Sequence, residues 1–502
     1  MLDFHRRSSG LLLHLTSLAG PHGSGDLSEA AYRFVDFLAA AGQSWWQMLP
    51  VGPPGDPTGC SPYGSSSSVA GSPCLVSLET LWRGGWLTRS EIRPPHDLAS
   101  AHVHFPAVQT YRDQRLRQAW QRFRVARSSH HQDFREFCLE ERDWLDDFAL
   151  FCALKEHFGQ APWPAWPHEL GHPDPTALRR ARRAFAEEAD YHRWGQFQFH
   201  RQWAVLRRYA RQRGVGLIGD IPIFVSLDSA DVWAHPELFA LGAQGWPTRV
   251  SGYPPDRFCR RGQRWGHPHY AWAAHRRTGF GWWIRRFAGA YRLFDAVRLD
   301  HFLGYTRVWS IPASARSAKP GRWVGTPGRE LLTAVRRALG DRPMIAEDLG
   351  HVTPADLALR DDFGIAAMRV LQLGFGPGDP LHQPHRYPPH AVAYTGTHDN
   401  DTTLGWFRAL PRRARKDVLE YAGGDGRRVH LDLIRLVMNS AANTVIVPVQ
   451  DILGLDSRAR MNRPGTPTGN WDWRVLPGVL TPALARGLRR MTTLAERLEV
   501  ER

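Results

Sequence analysis

Short apolar runs alternate with longer amphipathic stretches through the second half of the chain. Six of these runs are predicted to contain buried strands, within residues 214–224, 296–302, 343–349, 368–373, 391–397 and 444–449. Amphipathic helices are predicted between them, for example over residues 328–339 and 411–421. Apolar strands that alternate with helices are typical of βα units in a parallel sheet.

The first half adds two candidate strands, at residues 11–15 and 45–50, separated by a predicted helix over residues 28–41. With the six later strands they make eight, the number in an α/β fold of the (β/α)₈ TIM-barrel type. Residues 52–205 are too long for one crossover and carry helical patterns near 108–125 and 134–157. We therefore predict three parts: barrel strands 1 and 2 in residues 1–51, large and mainly helical inserted subdomains in 52–205, and the remainder of the barrel in 206–502.

The composition and net charge indicate whether the protein binds nucleic acid or membranes. The chain has 502 residues and a formal net charge of +15, which is compatible with nucleic-acid binding. Lysine is almost absent, however, and the arginines are dispersed; clusters at 179–183 and 412–415 lie in mixed-charge helical surroundings typical of solvated helix faces. We therefore expect no nucleic-acid partner and, without an apolar run of about 20 residues, no membrane span.

The amino-terminal segment and the cysteines bear on location. Residues 1–20 resemble a signal peptide, but His14 and Thr16 interrupt the apolar run, so we interpret it as the first strand. The five cysteines have no CxxC or metal-ligand spacing, which predicts a reducing, cytoplasmic location.

Acidic residues stand where several apolar runs end. They are Asp220, Asp300, Glu347 and Asp399. Because the carboxyl ends of barrel strands meet at one mouth, where the active sites of such barrels lie, we expect these four side chains to converge.

Asp300 and Glu347 differ in their predicted surroundings. Arg298 and Asp300 lie two residues apart on one strand, so they share a side, and a guanidinium that close would lower the pKa of the Asp300 carboxyl. Glu347 follows an apolar strand, where desolvation would favour the protonated acid. One charged and one protonated carboxyl is the arrangement that cleaves glycosidic bonds. The alternatives are a structural Arg–Asp pair for Asp300 and a helix N-cap for the Glu347–Asp348 pair, a role that we assign to Asp348.

A third group of polar residues is the run from Thr397 to Thr403, sequence THDNDTT. Its short side chains could bind sugar hydroxyls, or could hold a divalent metal through oxygen ligands and His398. An uncommitted turn is a third possibility, and the residues alone leave all three open.

Motifs along almost the whole chain resemble the 4-α-glucanotransferases called amylomaltases or disproportionating enzymes, glycoside hydrolase family 77. The segments that carry the resemblance are 8–18, 25–50, 61–63 (Ser-Pro-Tyr), 218–223 (IGDIPI), 252–266, 298–302 (RLDHF), 346–350 (AEDLG), 397–406, 461–466 (MNRPGT) and 469–471 (GNW). The segment near 250–266 is similar to the mobile loop that covers the cleft in that family.

The resemblance implies roles for individual residues. Asp300 would be the nucleophile of a retaining double displacement, Glu347 the acid/base, and Asp399 a third catalytic residue that holds hydroxyls of the reacting sugar. Substrate-binding roles fall on Tyr63, Asp220, Arg298, His398, Pro255, Asp256 and Asn470. The resemblance implies no metal and no cofactor. It implies maltooligosaccharides and other 1,4-α-glucans as partners, glucose as an acceptor, and a monomer or weak homo-oligomer.

The sequence departs from the family pattern at Cys60 and, in the cleft loop, at Arg257 and at Cys259 to Arg261. These positions lie where acceptor sugars are expected, so they bear on chain-length preference rather than on the reaction. The closest alternative function is an α-glucan hydrolase that uses the same carboxylates. A divalent-metal barrel enzyme such as a sugar isomerase, and a binding protein without catalysis, are the alternatives from other classes.

Overall fold

The computed structural model describes residues 3–55, 60–95, 98, 100–126, 130–171, 174–256, 259–376 and 378–498. Its strands, numbered along the chain, are β1 (Ser8–Leu12), β2 (Trp45–Gln47), β3 (Gly216–Ile221), β4 (Arg249–Tyr253), β5 (Gln263–Pro268), β6 (Ala296–Leu299), β7 (Arg307–Pro312), β8 (Arg322–Gly325), β9 (Met344–Ala346), β10 (Ala366–Val370), β11 (Ala391–Tyr394) and β12 (Thr444–Pro448).

Eight of these strands form a closed parallel barrel in the order β1-β12-β11-β10-β9-β6-β3-β2. Each predicted apolar run supplies one barrel strand, so the (β/α)₈ TIM-barrel prediction is confirmed. The strands are almost completely buried because helices cover the outside and packed side chains fill the inside.

β1 begins three residues before the predicted strand at 11–15. Its first half is made of small residues, whose signal is weak in a pattern of apolar positions. Ser8 is buried and its hydroxyl lies 3.0 Å from that of Thr444 on β12, while a Cβ on Gly10 would come within 2.4 Å of the Trp45 carbonyl oxygen. The strand ends early because Leu15 to Ser17 form a 3₁₀ turn.

The helices, numbered along the chain, are α1 (Glu29–Ala40), α2 (Leu78–Arg83), α3 (Phe105–Val125), α4 (His130–Glu140), α5 (Arg142–His157), α6 (His168–Gly171), α7 (Pro175–Ala184), α8 (Ala186–Gln212), α9 (Ala230–Ala234), α10 (Trp272–Arg277), α11 (Gly281–Leu293), α12 (Gly328–Leu339), α13 (Pro354–Asp362), α14 (Thr403–Ala409), α15 (Arg412–Ala422), α16 (Val429–Met438), α17 (Val449–Ile452) and α18 (Pro482–Leu494).

The segment between β2 and β3 is mainly helical and contains α2 to α8. The helical pattern near 134–157 corresponds to two helices, α4 and α5. The backbone leaves helical geometry at Glu141, whose carboxylate accepts hydrogen bonds from Trp144 and Arg292. The predicted domain boundary at residue 205 falls inside α8. In the part of the chain that the structure describes, no helix is long and apolar enough to cross a membrane.

A second, four-stranded antiparallel sheet lies in the order β5-β4-β7-β8. It is inserted after barrel strands β3 and β6, so it stands near the carboxyl ends of those strands. The cleft loop predicted near 250–266 is therefore partly a hairpin, formed by β4 and β5, with residues 254–256 and 259–262 described at its tip. We call this sheet the lid sheet.

Candidate active site

The predicted acidic residues converge at the carboxyl ends of neighbouring barrel strands. Asp220 lies on β3 in register with Arg298 on β6, while Asp300 directly follows β6 and Glu347 directly follows β9. Asp399 follows β11 after a short turn. This placement follows from parallel pairing, which brings strand ends from distant parts of the chain to one edge.

Arg298 is the centre of the site. It is 1% exposed, and its guanidinium faces three carboxylates. Nη1 lies 2.7 Å from Asp220 Oδ2 and 3.0 Å from Asp300 Oδ1, and Nη2 lies 2.9 Å from Glu347 Oε2. One fixed cation thus holds the two predicted catalytic carboxylates beside each other.

The pKa of Asp300 differs from the sequence prediction. Burial raises the pKa of this carboxyl to about 6, Arg298 opposes that effect, and the nearby Glu347 carboxylate adds to it. The prediction that Arg298 would lower the pKa was therefore wrong in its net direction. The reason is that Arg298 is shared with two other carboxylates, so its effect on Asp300 does not outweigh desolvation.

Glu347 is oriented by a backbone group as well as by Arg298. The His301 amide donates a 2.6 Å hydrogen bond to Glu347 Oε2. His301 adopts a left-handed backbone conformation with φ of 46°, which turns its amide toward the carboxylate. The strain of that conformation in a non-glycine residue lies next to the predicted nucleophile, where such outliers tend to occur.

Asp348 does not cap a helix, so that prediction was wrong. Its buried carboxylate binds Arg360, accepts a 2.9 Å hydrogen bond from the Met368 amide and lies 3.4 Å from Arg369. Helix α13 is capped instead by Thr353.

Asp399 and His398 form the other side of the site. Burial disfavours the ionised form of Asp399, but His398, whose Nε2 lies 3.3 Å from Oδ2, and the Asn462 amide at 2.5 Å from Oδ1 hold the pKa of Asp399 below its usual value. Conversely, the Asp399 carboxylate raises the pKa of His398, although the burial of His398 acts in the opposite direction. Asp399 is therefore held as a carboxylate.

Tyr63 joins the two halves of the site. Its hydroxyl donates to Asp220 Oδ2 at 2.8 Å and also lies 2.8 Å from His398 Nε2, and its ring stacks on that of His398 with centroids 5.3 Å apart. Trp471 packs beside both rings. An aromatic wall of this kind can pack against the face of a sugar ring.

The rest of the run from Thr397 to Thr403 serves the fold. Asn400 accepts hydrogen bonds from Thr397, Asp401 from Ser457, and the buried Asp451 from Thr403. Among the described residues, no group of three or more His, Cys, Asp or Glu side chains could hold a metal ion.

The lid sheet lies over Asp300 and Glu347. Trp265 on β5 and Tyr253 on β4 pack edge-on against the His301 ring, with centroids 4.9 and 5.8 Å apart. The tip of the hairpin is held by Asp256, whose Oδ1 accepts a 2.6 Å hydrogen bond from the Cys259 amide. Pro255 stands in this tip, and Arg257 lies outside the described residues.

Two other predicted positions form hydrogen bonds with residues outside this group of carboxylates. Asn470 bonds within its own loop, to the Arg463 amide and to Thr466. Cys60 is buried and accepts a weak hydrogen bond from Gln109 at 3.8 Å.

Three residues of the site, Asn462, His301 and Trp265, were not predicted from the sequence. Asn462 and Trp265 stood inside segments that carried the resemblance, and His301 follows the predicted nucleophile. Their contacts depend on tertiary placement, and no local pattern marks them.

Comparisons with known proteins establish the family to which the chain belongs. The family model described as 4-alpha-glucanotransferase matches residues 13–480. The 4-alpha-glucanotransferase of Thermus thermophilus is 45% identical over 502 residues, covering 98% of this chain and 99% of that protein. The enzyme of the same name from Synechocystis is 43% identical, with 98% of each chain covered.

Solved structures of amylomaltases are also similar to this chain. The amylomaltase from Streptococcus agalactiae, determined in complex with acarbose, has a TM-score of 0.94 and 34% identity, and 98% of this chain and 100% of that chain are covered. The amylomaltase from Corynebacterium glutamicum shares the fold, with a TM-score of 0.79 at 19% identity. The chain belongs to the 4-α-glucanotransferases, glycoside hydrolase family 77.

Proposed function

We propose that this enzyme transfers segments of 1,4-α-glucan by a retaining double displacement in which Asp300 is the nucleophile. An Asp300 oxygen attacks C1 of the donor sugar, the glycosidic C1–O bond breaks, and the leaving oxygen takes a proton from Glu347. The 4-hydroxyl of the acceptor then gives its proton to Glu347 and attacks C1, and the ester bond to Asp300 breaks.

The observation that supports these roles is the shared guanidinium of Arg298. It contacts Asp300 through one nitrogen and Glu347 through the other. A pair of carboxyls held this way suits a retaining enzyme, for which a separation of about 5–5.5 Å is typical. A complex with a bound oligosaccharide would test that separation, since a clearly wider gap would favour inversion.

The remaining site residues fit binding and orientation. We assign Asp399, held as a carboxylate beside Asn462, to the hydroxyls of the reacting sugar and so to its distorted, oxocarbenium-like form. Substrate-binding roles are proposed for Tyr63, Asp220, Arg298, His398, Pro255, Asp256 and Asn470. For Asn470 the support is the resemblance alone, because its amide is used within its own loop.

Transfer has to compete with hydrolysis of the same intermediate. Water is present at ~55 M, so an acceptor must be positioned with an effective molarity several orders of magnitude higher than its concentration. We propose that the lid sheet, through Trp265 and Tyr253, excludes water from the intermediate. The alternative is an α-glucan hydrolase.

Incubation with maltotriose separates these functions. A transferase produces glucose together with maltodextrins longer than the substrate. Maltose and glucose with nothing longer would refute transfer. Loss of activity with EDTA would favour a divalent-metal enzyme instead.

Two variants test the assigned roles. Asp300→Asn and Glu347→Gln should each remove nearly all transfer while glucan binding and the folded state survive. Loss of folding in both, or retained turnover, would contradict the assignment.

We further propose glucose as an acceptor, a monomer or weak homo-oligomer in solution, a cytoplasmic location and the division of the chain at residues 51 and 205. The cysteines, all thiols in this structure, support a reducing compartment.

A further inference from the structure

The outer part of the lid sheet carries a strongly basic surface. Residues 259–268 and 308–325 together contain six cationic residues and no Asp or Glu. All six side chains are exposed. We call this set the basic patch; it consists of Arg260, Arg261, Arg264, Arg316, Lys319 and Arg322.

The two segments of the basic patch touch each other. The Ala318 amide donates a 3.1 Å hydrogen bond to the Arg261 carbonyl oxygen. Arg264 Nη2 donates to the Ala313 carbonyl oxygen at 2.9 Å. The two segments therefore lie against each other rather than on separate loops. Arg322 leaves the lid sheet on the face opposite to Arg264, because it is Trp323 that shares the face of Arg264 through the pairs with Trp309 and Gly252.

The charge of the basic patch is not neutralised within the described part of the protein. None of its six residues lies within 4.0 Å of a described carboxylate, whereas many other exposed arginines are paired, such as Arg276 with Glu330 and Arg329 with Asp362. A cluster of like charges costs electrostatic free energy unless an anionic partner compensates it.

The basic patch reaches the cleft-facing side of the lid sheet through Arg322. Arg264 and Trp265 are neighbours on β5, so their side chains leave opposite faces of the lid sheet. Trp265 packs on His301 beside the predicted nucleophile, while Arg264 faces outward. β8, which begins with Arg322, is two strands from β4, or about 10 Å. Arg322 leaves the same face of the lid sheet as Tyr253 and Trp265, so a glucan chain that follows this face away from the cleft passes the Arg322 cation first.

We propose that the basic patch binds phosphate monoesters carried by the α-glucan, so that phosphorylated glucans are held more tightly than neutral ones. Guanidinium groups pair with phosphate through two parallel hydrogen bonds, and each phosphate presents several acceptor oxygens. A glucan anchored in the cleft presents its phosphates to the basic patch at a high effective concentration, so that weak phosphate contacts add measurably to its affinity. The inference rests on the proposed function, because it requires a glucan in the cleft.

Affinity electrophoresis gives a direct test. Wild-type enzyme is run in gels that contain phosphorylated amylopectin or the same polymer after phosphatase treatment. We expect about five- to tenfold tighter binding to the phosphorylated polymer, as two or three exposed ion pairs would give. The preference should vanish near 0.5 M KCl, where the Debye length falls to roughly 4 Å.

The test variant is Arg316→Gln/Lys319→Gln/Arg322→Gln. Its matched control is Arg412→Gln/Arg413→Gln/Lys416→Gln, which removes the same three charges from exposed positions of α15, a helix that also carries Asp417 and Glu420. Melting temperatures establish that both variants are folded. We expect the phosphate preference to disappear in the first variant and to persist in the control.

Equal binding to both polymers by the wild type, or equal loss in both variants, would overturn the proposal. So would tighter binding of a 20-nucleotide RNA with the same dependence on the three residues, since the patch would then serve nucleic acid. Conversion of maltotriose by the wild type is assayed separately. Its absence would refute the proposed function, while a phosphate-dependent retention would still be readable in the gels.

Discussion

Replacing Arg298 with lysine tests the electrostatic account of the site. Arginine reaches Asp220, Asp300 and Glu347 at once through two nitrogens, with distances of 2.7 to 3.0 Å. A lysine ammonium is a single point and cannot occupy both nitrogen positions. The variant keeps the buried charge but moves it away from at least one carboxylate.

The size of the effect follows from Coulomb's law. Unit charges about 4 Å apart interact by roughly 4 kcal/mol at an effective dielectric constant near 20, which equals about three pKa units. Because lysine retains part of this interaction, we expect the pKa of Asp300 to rise from about 6 by a further one to two units. In the proposed mechanism Asp300 attacks as the ionised carboxylate, so the acid limb of activity should move upward by that amount.

The assay is the pH dependence of kcat/KM for maltotriose, which reports groups of the free enzyme. Arg286→Lys is the control, because Arg286 is also buried but its Nη2 donates to the Pro222 carbonyl oxygen, and it should leave the limb in place. A folded Arg298→Lys enzyme whose acid limb moves by less than about 0.3 units would refute the reasoning.

Three further predictions concern single contacts. Asn462→Ala removes the amide that bonds Asp399 Oδ1 at 2.5 Å, and kcat/KM should fall about ten- to hundredfold without loss of folding; an unchanged value would show that Asp399 needs no such support. Asp300 has a raised pKa in the folded enzyme, so its contribution to stability is complete below about pH 4 and is lost as pH rises through about 6. At pH 7.5 Asp300→Asn should therefore be more stable than wild type by about 2–3 kcal/mol of unfolding free energy, which appears as a higher melting temperature. The difference should shrink toward pH 4.5, and a difference that does not change with pH would contradict the raised pKa of Asp300. Arg112→Met removes the cation that lies 2.6 Å from the fully buried Asp26 carboxylate, which then has the Ser28 amide and the His22 ring as neighbours; it should cost about 3–5 kcal/mol of stability in thermal or urea unfolding, without moving the pH profile of the remaining activity.

The barrel could be predicted from the sequence because its strands are short, buried apolar runs. The exception shows the limit of that pattern. β1 begins with Ser8, Ser9 and Gly10, which pack inside because they are small and not because they are apolar.

The lid sheet could not be predicted in the same way. Its strands are half-exposed and contain glycine, proline and arginine, and three of the four residues of β8 are exposed. Edge strands of this kind lack the alternation that marks a half-buried strand.

Contacts between segments that are distant along the chain also could not be predicted from the sequence. Tyr63 meets His398 across 335 residues, and Asn462 meets Asp399 from the segment after the last barrel strand. Such contacts form between segments that only the closed barrel brings together, so no local pattern in the sequence encodes them. The strand-end carboxylates could be predicted because their position depends on one element each.

The charge balance around Arg298 bears on whether this cluster is functional or merely structural. An Arg–Asp pair that only closes a strand end would be neutral, whereas here one guanidinium faces Asp220, Asp300 and Glu347. Burial accordingly raises the pKa of both Asp220 and Asp300, so the protein surroundings of these carboxyls oppose their full ionisation. Positive charge that develops on the sugar in an oxocarbenium-like transition state would relieve this excess. The excess of negative charge that is unfavourable in the protein alone would therefore stabilise the transition state, which favours a catalytic cluster over a structural pair.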